Sequence, residues 1–257
     1  MNKGTRVRRE IDAGTGKETL DALFDGRLKL LQSRLGYRVS IDPLLLAYFV
    51  SVKRGQKIVD LGTGNGVICL ALADLYPSAS LTGIELQASL AERAAHNVRL
   101  NGLESRIKII SGDVRRREYS LKPGSFDVAV CNPPYRRPSG GRISVNDEKR
   151  IARHELNGDL VGFLRAGAFL LRNKGRMALV YLAGRSADLI VAMRQTGIEP
   201  KRLRMVHSFP EAEASLILLE GVKGGKAGLA VLSPLVIYRE GKHYTDEAMA
   251  MISGTPR

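Results

Sequence analysis

The chain is short of cysteine, histidine, acidic residues and long apolar runs, and each shortage excludes something. Cys69 and Cys131 are the only cysteines among 257 residues, and both sit in apolar stretches. They cannot build the disulfide framework of a secreted scaffold and read as buried thiols of a reducing, cytoplasmic compartment. Four histidines, none clustered with the cysteines, leave no credible metal site. No apolar run is long enough to span a membrane, because Gly, Pro or charge interrupts each candidate. The basic segment Met1 to Arg9 is not followed by an apolar core, so no secretory signal is expected. Internal repeats and low-complexity tracts are missing as well.

Acidic charge is scarce: 26 Asp/Glu face 40 Lys/Arg, a net charge of +14. The surplus is uneven. Residues 61–112 are neutral, whereas 1–60 and 113–154 each carry five more basic than acidic residues. A polyanion such as RNA or DNA suits that distribution, although a generic basic surface is the plainer alternative.

What the chain has is a regular alternation of strand and helix patterns. Apolar strand runs are expected at 57–61, 80–85, 107–111, 126–131 and 177–182, with helices at 67–75, 89–101, 159–171 and 187–195 between them. Late strands follow at 203–207, 215–219 and 229–238, with 221–228 as a flexible, hairpin-like connection. This is the pattern of a mostly parallel, doubly wound α/β sheet. Residues 1–19 read as a flexible basic tail. Residues 20–250 read as a single domain with a leading segment, 20–56. That segment holds short strands turning at Asp25-Gly26 and a helix from Leu44 to about Val52, with Asp42 as its N-cap and Pro43 in its first position.

Two motifs carry chemistry. The strand ending at Cys131 runs into Asn132-Pro133-Pro134-Tyr135. Two prolines offer no N–H to a sheet ladder, so the strand stops and leaves an amide, a carbonyl and an aromatic ring at its carboxyl end. In open α/β sheets ligands bind at that edge. The constellation suits an exocyclic amino group held against an aromatic face.

The second motif is Asp60-Leu61-Gly62-Thr63-Gly64-Asn65-Gly66, a glycine-rich turn from strand to helix. Its spacing is not that of the nicotinamide-binding fingerprint. Glu85 ends the next strand, where a carboxylate accepts from ribose hydroxyls, and Asp113 follows the third, where it accepts from an adenine amino group. Three acids would repel a pyrophosphate and favour a cationic sulfonium nucleoside. Taken singly, Glu85 could be an exposed acid and Asp113 a turn cap; together with the glycine turn they favour a site.

The motif order resembles the Rossmann-like, S-adenosylmethionine-dependent methyltransferases that modify amino groups. Gly36 to Ala47 (GYRVSIDPLLLA), Arg153-His154-Glu155, Ser233 to Tyr238 (SPLVIY) and Tyr244-Thr245 are similar to the bacterial enzymes acting on the N6 amino group of an anticodon-loop adenine in valine tRNA. Val39 departs from the Phe common there. The resemblance implies a seven-stranded sheet of order 3-2-1-4-5-7-6, flanked by helices, its last strand antiparallel. It implies S-adenosylmethionine bound by Arg38, Asp60, Gly62, Thr63, Gly64, Asn65, Gly66, Glu85 with Leu86, Asp113 with Val114, and Asn132, leaving S-adenosylhomocysteine as product, without a metal. It implies Asn132, Pro133, Pro134 and Tyr135 as the catalytic turn and tRNA as the partner of a chain expected to be monomeric.

Arg136, Arg137 and Arg142, next to that turn, read as a basic lip touching phosphates. Arg115-Arg116-Arg117 reads as a solvated charge run, and His154 and His207 as packing or capping residues. The rival readings are N5-glutamine methylation of a protein such as a release factor, DNA adenine-N6 methylation, and an RNA-binding protein without activity.

Overall fold

The computed structural model describes residues 11–12, 18–34, 39–116, 120–133 and 160–255. A small antiparallel ribbon comes first: β1 (Ile11–Asp12), β2 (Glu18–Leu23) and β3 (Leu28–Ser33). The turn expected at Asp25-Gly26 joins β2 to β3. The segment read as a tail contributes Ile11–Asp12, paired with Leu20 and Thr19. Helix α1 (Asp42–Phe49) follows, with Pro43 in its first turn. Asp42 is not its N-cap: the Leu44 and Leu45 amides donate to the Ile41 carbonyl, so the helix starts one residue earlier than expected.

Then come β4 (Lys57–Leu61), α2 (Val67–Leu75), β5 (Ser80–Glu85), α3 (Ala88–Leu100), β6 (Ile107–Ser111) and β7 (Phe126–Cys131). A helix over 160–170, α4, leads into β8 (Leu171–Leu182), α5 (Ser186–Gln195), β9 (Ile198–His207) and β10 (Ala214–Lys223). β8 and β9 start earlier than their apolar runs, because ladder pairing continues through Arg176 in β8 and through Glu199 and Arg202 in β9.

Along the sheet the order is β6-β5-β4-β7-β8-β10-β9, with β10 antiparallel to both neighbours. Two short strands, β11 (Ala230–Val231) and β12 (Leu235–Val236), add to β9, so nine strands replace the seven expected. They are what becomes of the strand expected over 229–238: Pro234, with no N–H, sits between them. A two-stranded hairpin, β13 (Tyr238–Glu240) with β14 (His243–Tyr244), precedes α6 (Asp246–Ser253).

Side chains of the central strands alternate strictly between two cores. Ile58, Val128, Val130, Ala178, Val180 and Leu218 face one, shared with the ribbon, α1, α2 and α6. Val59, Leu61, Ala129, Cys131, Leu179 and Ile217 face the other, shared with α4 and α5. A buried Leu or Ile contributes roughly 1.5–3 kcal/mol. A one-residue slip would move each set to the wrong face, so the period-two pattern fixes the register. That register sets Leu61 beside Ile84 and Cys131, and Glu85 beside Ser111. Asp60, Glu85 and Asn132 therefore meet at one carboxyl edge. Among the described residues no helix is long and apolar enough to cross a membrane.

Candidate active site

The glycine turn leaves β4 and leans on β5, where the amides of Gly62 and Thr63 both donate to the Ile84 carbonyl, at 2.9 and 3.0 Å. Gly64 has φ 58°, and a Cβ placed there would meet nothing within 4 Å, so this stretch of backbone is open to a ligand. Gly66 has φ 87° and begins α2; a Cβ there would press on Ala94 of α3 at 3.3 Å. The first glycine serves approach and the second serves packing.

Asp60 is fully buried under this turn. Its Oδ2 accepts from the Thr63 hydroxyl at 2.6 Å and from the Cys69 thiol at 3.7 Å. Among the described residues its Oδ1 has no hydrogen-bond partner. Burial pushes the carboxyl up to about 7, against the Thr63 and Cys69 hydrogen bonds and with a further push from Glu85. Burial also raises the thiols of Cys69 and Cys131, and Asp60 adds to both shifts.

Glu85 is 7% exposed. Its oxygens accept from the backbone amides of Gly64 and Gln87, each at 2.9 Å, so the acid is bolted to the glycine turn rather than free in solvent. Leu86 beside it is an exposed apolar side chain, 54% accessible. Asp113, two residues beyond β6, is also buried. Its Oδ1 accepts from the Arg115 amide and Nε, both at 2.9 Å, and its Oδ2 from Arg115 Nη2 at 3.0 Å. Arg116 lies 3.7 Å away. Arg115's hydrogen bond, opposed by partial burial, holds the Asp113 carboxyl below its ordinary range. Asp113 thus caps its own turn, and two arginines read as a solvated run pair with it. Val114 is buried beside it.

Asn132 is half-buried and Pro133 buried, directly after Cys131, whose thiol donates to the Leu61 carbonyl at 3.3 Å. The structure brings together Asp60, the 62–66 turn, Glu85, Leu86, Asp113, Val114, Asn132 and Pro133 on one edge. Arg38, Pro134, Tyr135, Arg136, Arg137, Arg142, Arg117 and Arg153-His154-Glu155 lie outside the described residues. His207 is structural, its Nδ1 lying 2.7 Å from the Ala212 carbonyl. Sequence reasoning missed Asn97, buried on α3 and donating to the Asn65 carbonyl at 3.0 Å. Its only signal was polarity on an otherwise apolar helix face.

Residues 40–184 match the family model described as methyltransferase small domain. Over 201 residues the chain is 32% identical to a protein of Porphyromonas gingivalis named tRNA1(Val) (adenine(37)-N6)-methyltransferase, covering 76% of this chain and 78% of that one. A protein of the same name from Parabacteroides distasonis is 31% identical over 185 residues, covering 71% and 76% of the two chains. Among solved structures, a predicted O-methyltransferase from Agrobacterium tumefaciens shares the fold, with a TM-score of 0.70 at 24% identity, covering 84% of this chain and 97% of that one. Glycine turn, strand-end acids, sheet order and matched residues agree: the chain belongs to the methyltransferase small domain family.

Proposed function

We propose that this protein transfers a methyl group from S-adenosylmethionine to the exocyclic N6 amino group of an adenine in tRNA, in the anticodon loop of valine tRNA. One observation carries the reading. A buried aspartate with an unpartnered oxygen lies under an open glycine turn, on the same sheet edge as an Asn-Pro turn. The names of the relatives supply the acceptor.

The residues present fit the cofactor. Asp60 Oδ1 lacks a partner and would be completed by a cationic group. Gly64 leaves space for close approach. Glu85 keeps lone pairs for ribose hydroxyls beyond its two backbone donors, and Leu86 offers an apolar face to a base. Asp113 and Val114 would flank the adenine end. Asp113 must share its oxygens with Arg115 to accept from an amino group there. Arg38 would help to hold the cofactor's carboxylate. When bound, S-adenosylmethionine supplies an electrophilic methyl group and leaves as S-adenosylhomocysteine.

The Asn132 amide oxygen and the Pro133 carbonyl accept the two hydrogens of the target amino group. Both hydrogens are then held aside and the nitrogen lone pair points at the donor. Tyr135 stacks on the base, and Pro134 keeps the turn rigid. No base is needed before transfer, because the nitrogen becomes acidic only afterwards; position and electrostatics supply most of the rate. An adenine in a structured RNA must first be unstacked into this turn, with Arg136, Arg137 and Arg142 contacting phosphates. We place the activity in the cytoplasm, in a monomer.

The test is to incubate the protein with labelled S-adenosylmethionine and separate pools of tRNA, DNA and release factor. Label is expected in tRNA alone, on adenine N6. Label in DNA or protein but not in tRNA overturns the acceptor. Unchanged turnover in Asn132→Ala overturns the catalytic turn.

A further inference from the structure

Asn97 sits in the middle of α3 with no exposed surface. A polar side chain there destabilises the fold unless its hydrogen bonds are made. Its Oδ1 accepts from the Leu31 amide at 2.7 Å, and its Nδ2 donates to the Leu31 carbonyl at 3.1 Å and to the Asn65 carbonyl at 3.0 Å. Leu31 belongs to β3 of the leading ribbon, and Asn65 to the glycine turn. One planar amide therefore joins two parts of the molecule that are not neighbours in the chain.

The Asn65–Gly66 peptide is held at both of its polar groups. Its carbonyl goes to Asn97, and its N–H donates to the Thr63 carbonyl at 2.9 Å. Its plane is thereby fixed, in a turn whose glycines would otherwise allow many shapes. The ribbon is held in turn. Arg93 of α3 pairs with Glu18 of β2 at 3.1 Å. Gln32 of β3 accepts from the Val39 amide at 2.8 Å and donates to the buried Asp21.

Asn101, one helical turn beyond Asn97, is a built-in control. It accepts from the Lys29 amide and donates to the Lys29 carbonyl, both at 2.8 Å, and also donates to the Asn97 backbone carbonyl at 2.7 Å, but among the described residues it makes no hydrogen bond to the glycine turn. The two asparagines make the same bidentate contact with β3, and only Asn97 extends it to the turn.

We infer that Asn97 is a positioning residue that couples the glycine turn to the leading ribbon, so that cofactor binding and ribbon order are linked. This rests on the cofactor reading above. Linkage is reciprocal: a cofactor that needs a fixed Asn65–Gly66 peptide also stabilises the contact at Leu31, and losing that contact weakens the cofactor.

The test measures S-adenosylhomocysteine affinity by calorimetry and amide exchange across 18–33, with and without that ligand, in the full chain. Asn97→Ala is expected to weaken binding about tenfold and Asn101→Ala less than about twofold, a difference within the usual range of coupling. In the wild type the ligand slows exchange at Leu31; in Asn97→Ala that slowing is lost. Asn97→Asp keeps the acceptor for Leu31 but sets an oxygen against two carbonyls, and it should follow Asn97→Ala. Equal affinity of Asn97→Ala and wild type, or equal losses in Asn97→Ala and Asn101→Ala, overturns the coupling and leaves a structural asparagine. If neither Asn97 variant folds, the wild-type exchange decides: no ligand-dependent slowing at Leu31 overturns the inference. A wild type that binds no S-adenosylhomocysteine overturns the cofactor reading and the inference with it.

Discussion

Asp60 and Asp113 are both buried aspartates at the ends of parallel strands, yet their surroundings push them in opposite directions. Asp60 has a hydroxyl and a thiol for company, one unpartnered oxygen and a carboxyl raised to about 7. Asp113 is wrapped by Arg115 and Arg116 and lies below its ordinary range. One acid of this sheet edge is left electrostatically incomplete, and the other is already satisfied by its own arginines. A cationic ligand is therefore worth most at Asp60, where its charge offsets a desolvation cost that the fold alone does not meet.

The largest expected effect follows from removing that incompleteness. Asp60→Asn should weaken cofactor binding by about 100-fold, the loss of a charge-assisted contact of about 2–3 kcal/mol. The variant should be as stable as the wild type, or more stable, at pH 8. Calorimetry with a melting curve checks both, and a large loss of stability without a loss of affinity would reverse the contrast.

Next is pH. The Asp60 pKa rises on folding from 3.8 to about 7, so the folded chain keeps a proton that the unfolded chain releases. Stability without cofactor should fall as pH rises through that window, by at most roughly 4 kcal/mol. Cofactor affinity should move the other way and level off above about 8. Both trends should vanish in Asp60→Asn.

At the other end, Asp113→Ala should weaken cofactor binding about tenfold, the scale of one hydrogen bond to a neutral amino group. Its stability cost should be about 1 kcal/mol or less, because Arg115 and Arg116 are partly in solvent. An Asp113 effect as large as that of Asp60 would erase the distinction. The smallest effect belongs to Cys69→Ala, which removes only a weak donor to Asp60. Turnover should stay within about twofold, and thiol reagents should react slowly with the native chain, because both thiols are buried and their pKa values raised.

Local demands were readable from the chain. Glycines 62, 64 and 66 all take the positive φ that their turn requires, and the period-two strands delivered Asp60 and Glu85 to the sheet edge. Pairings that depend on tertiary placement were not readable. Nothing about Arg115 in a run of three arginines says that its guanidinium folds back on Asp113, and a buried Asn on a helix looks like any other Asn. Helix α6 went unread although Thr245 accepts from the Ala248 amide at 3.2 Å as a proper N-cap. Its first turn is acidic, and its apolar residues, Ala248 to Ile252, run consecutively rather than at helical spacing, so no period stands out.

The asparagine pair on α3 has one more consequence. β3 is the outer strand of the three-stranded ribbon, and Lys29 and Leu31 turn their peptide groups away from β2. An uncovered row of that kind is a template on which a second chain can add a strand. Side-chain amides already occupy it, so the ribbon ends against a helix and presents no sticky edge at this stretch. The residues that order the ribbon thereby also close this stretch of its edge to strand addition.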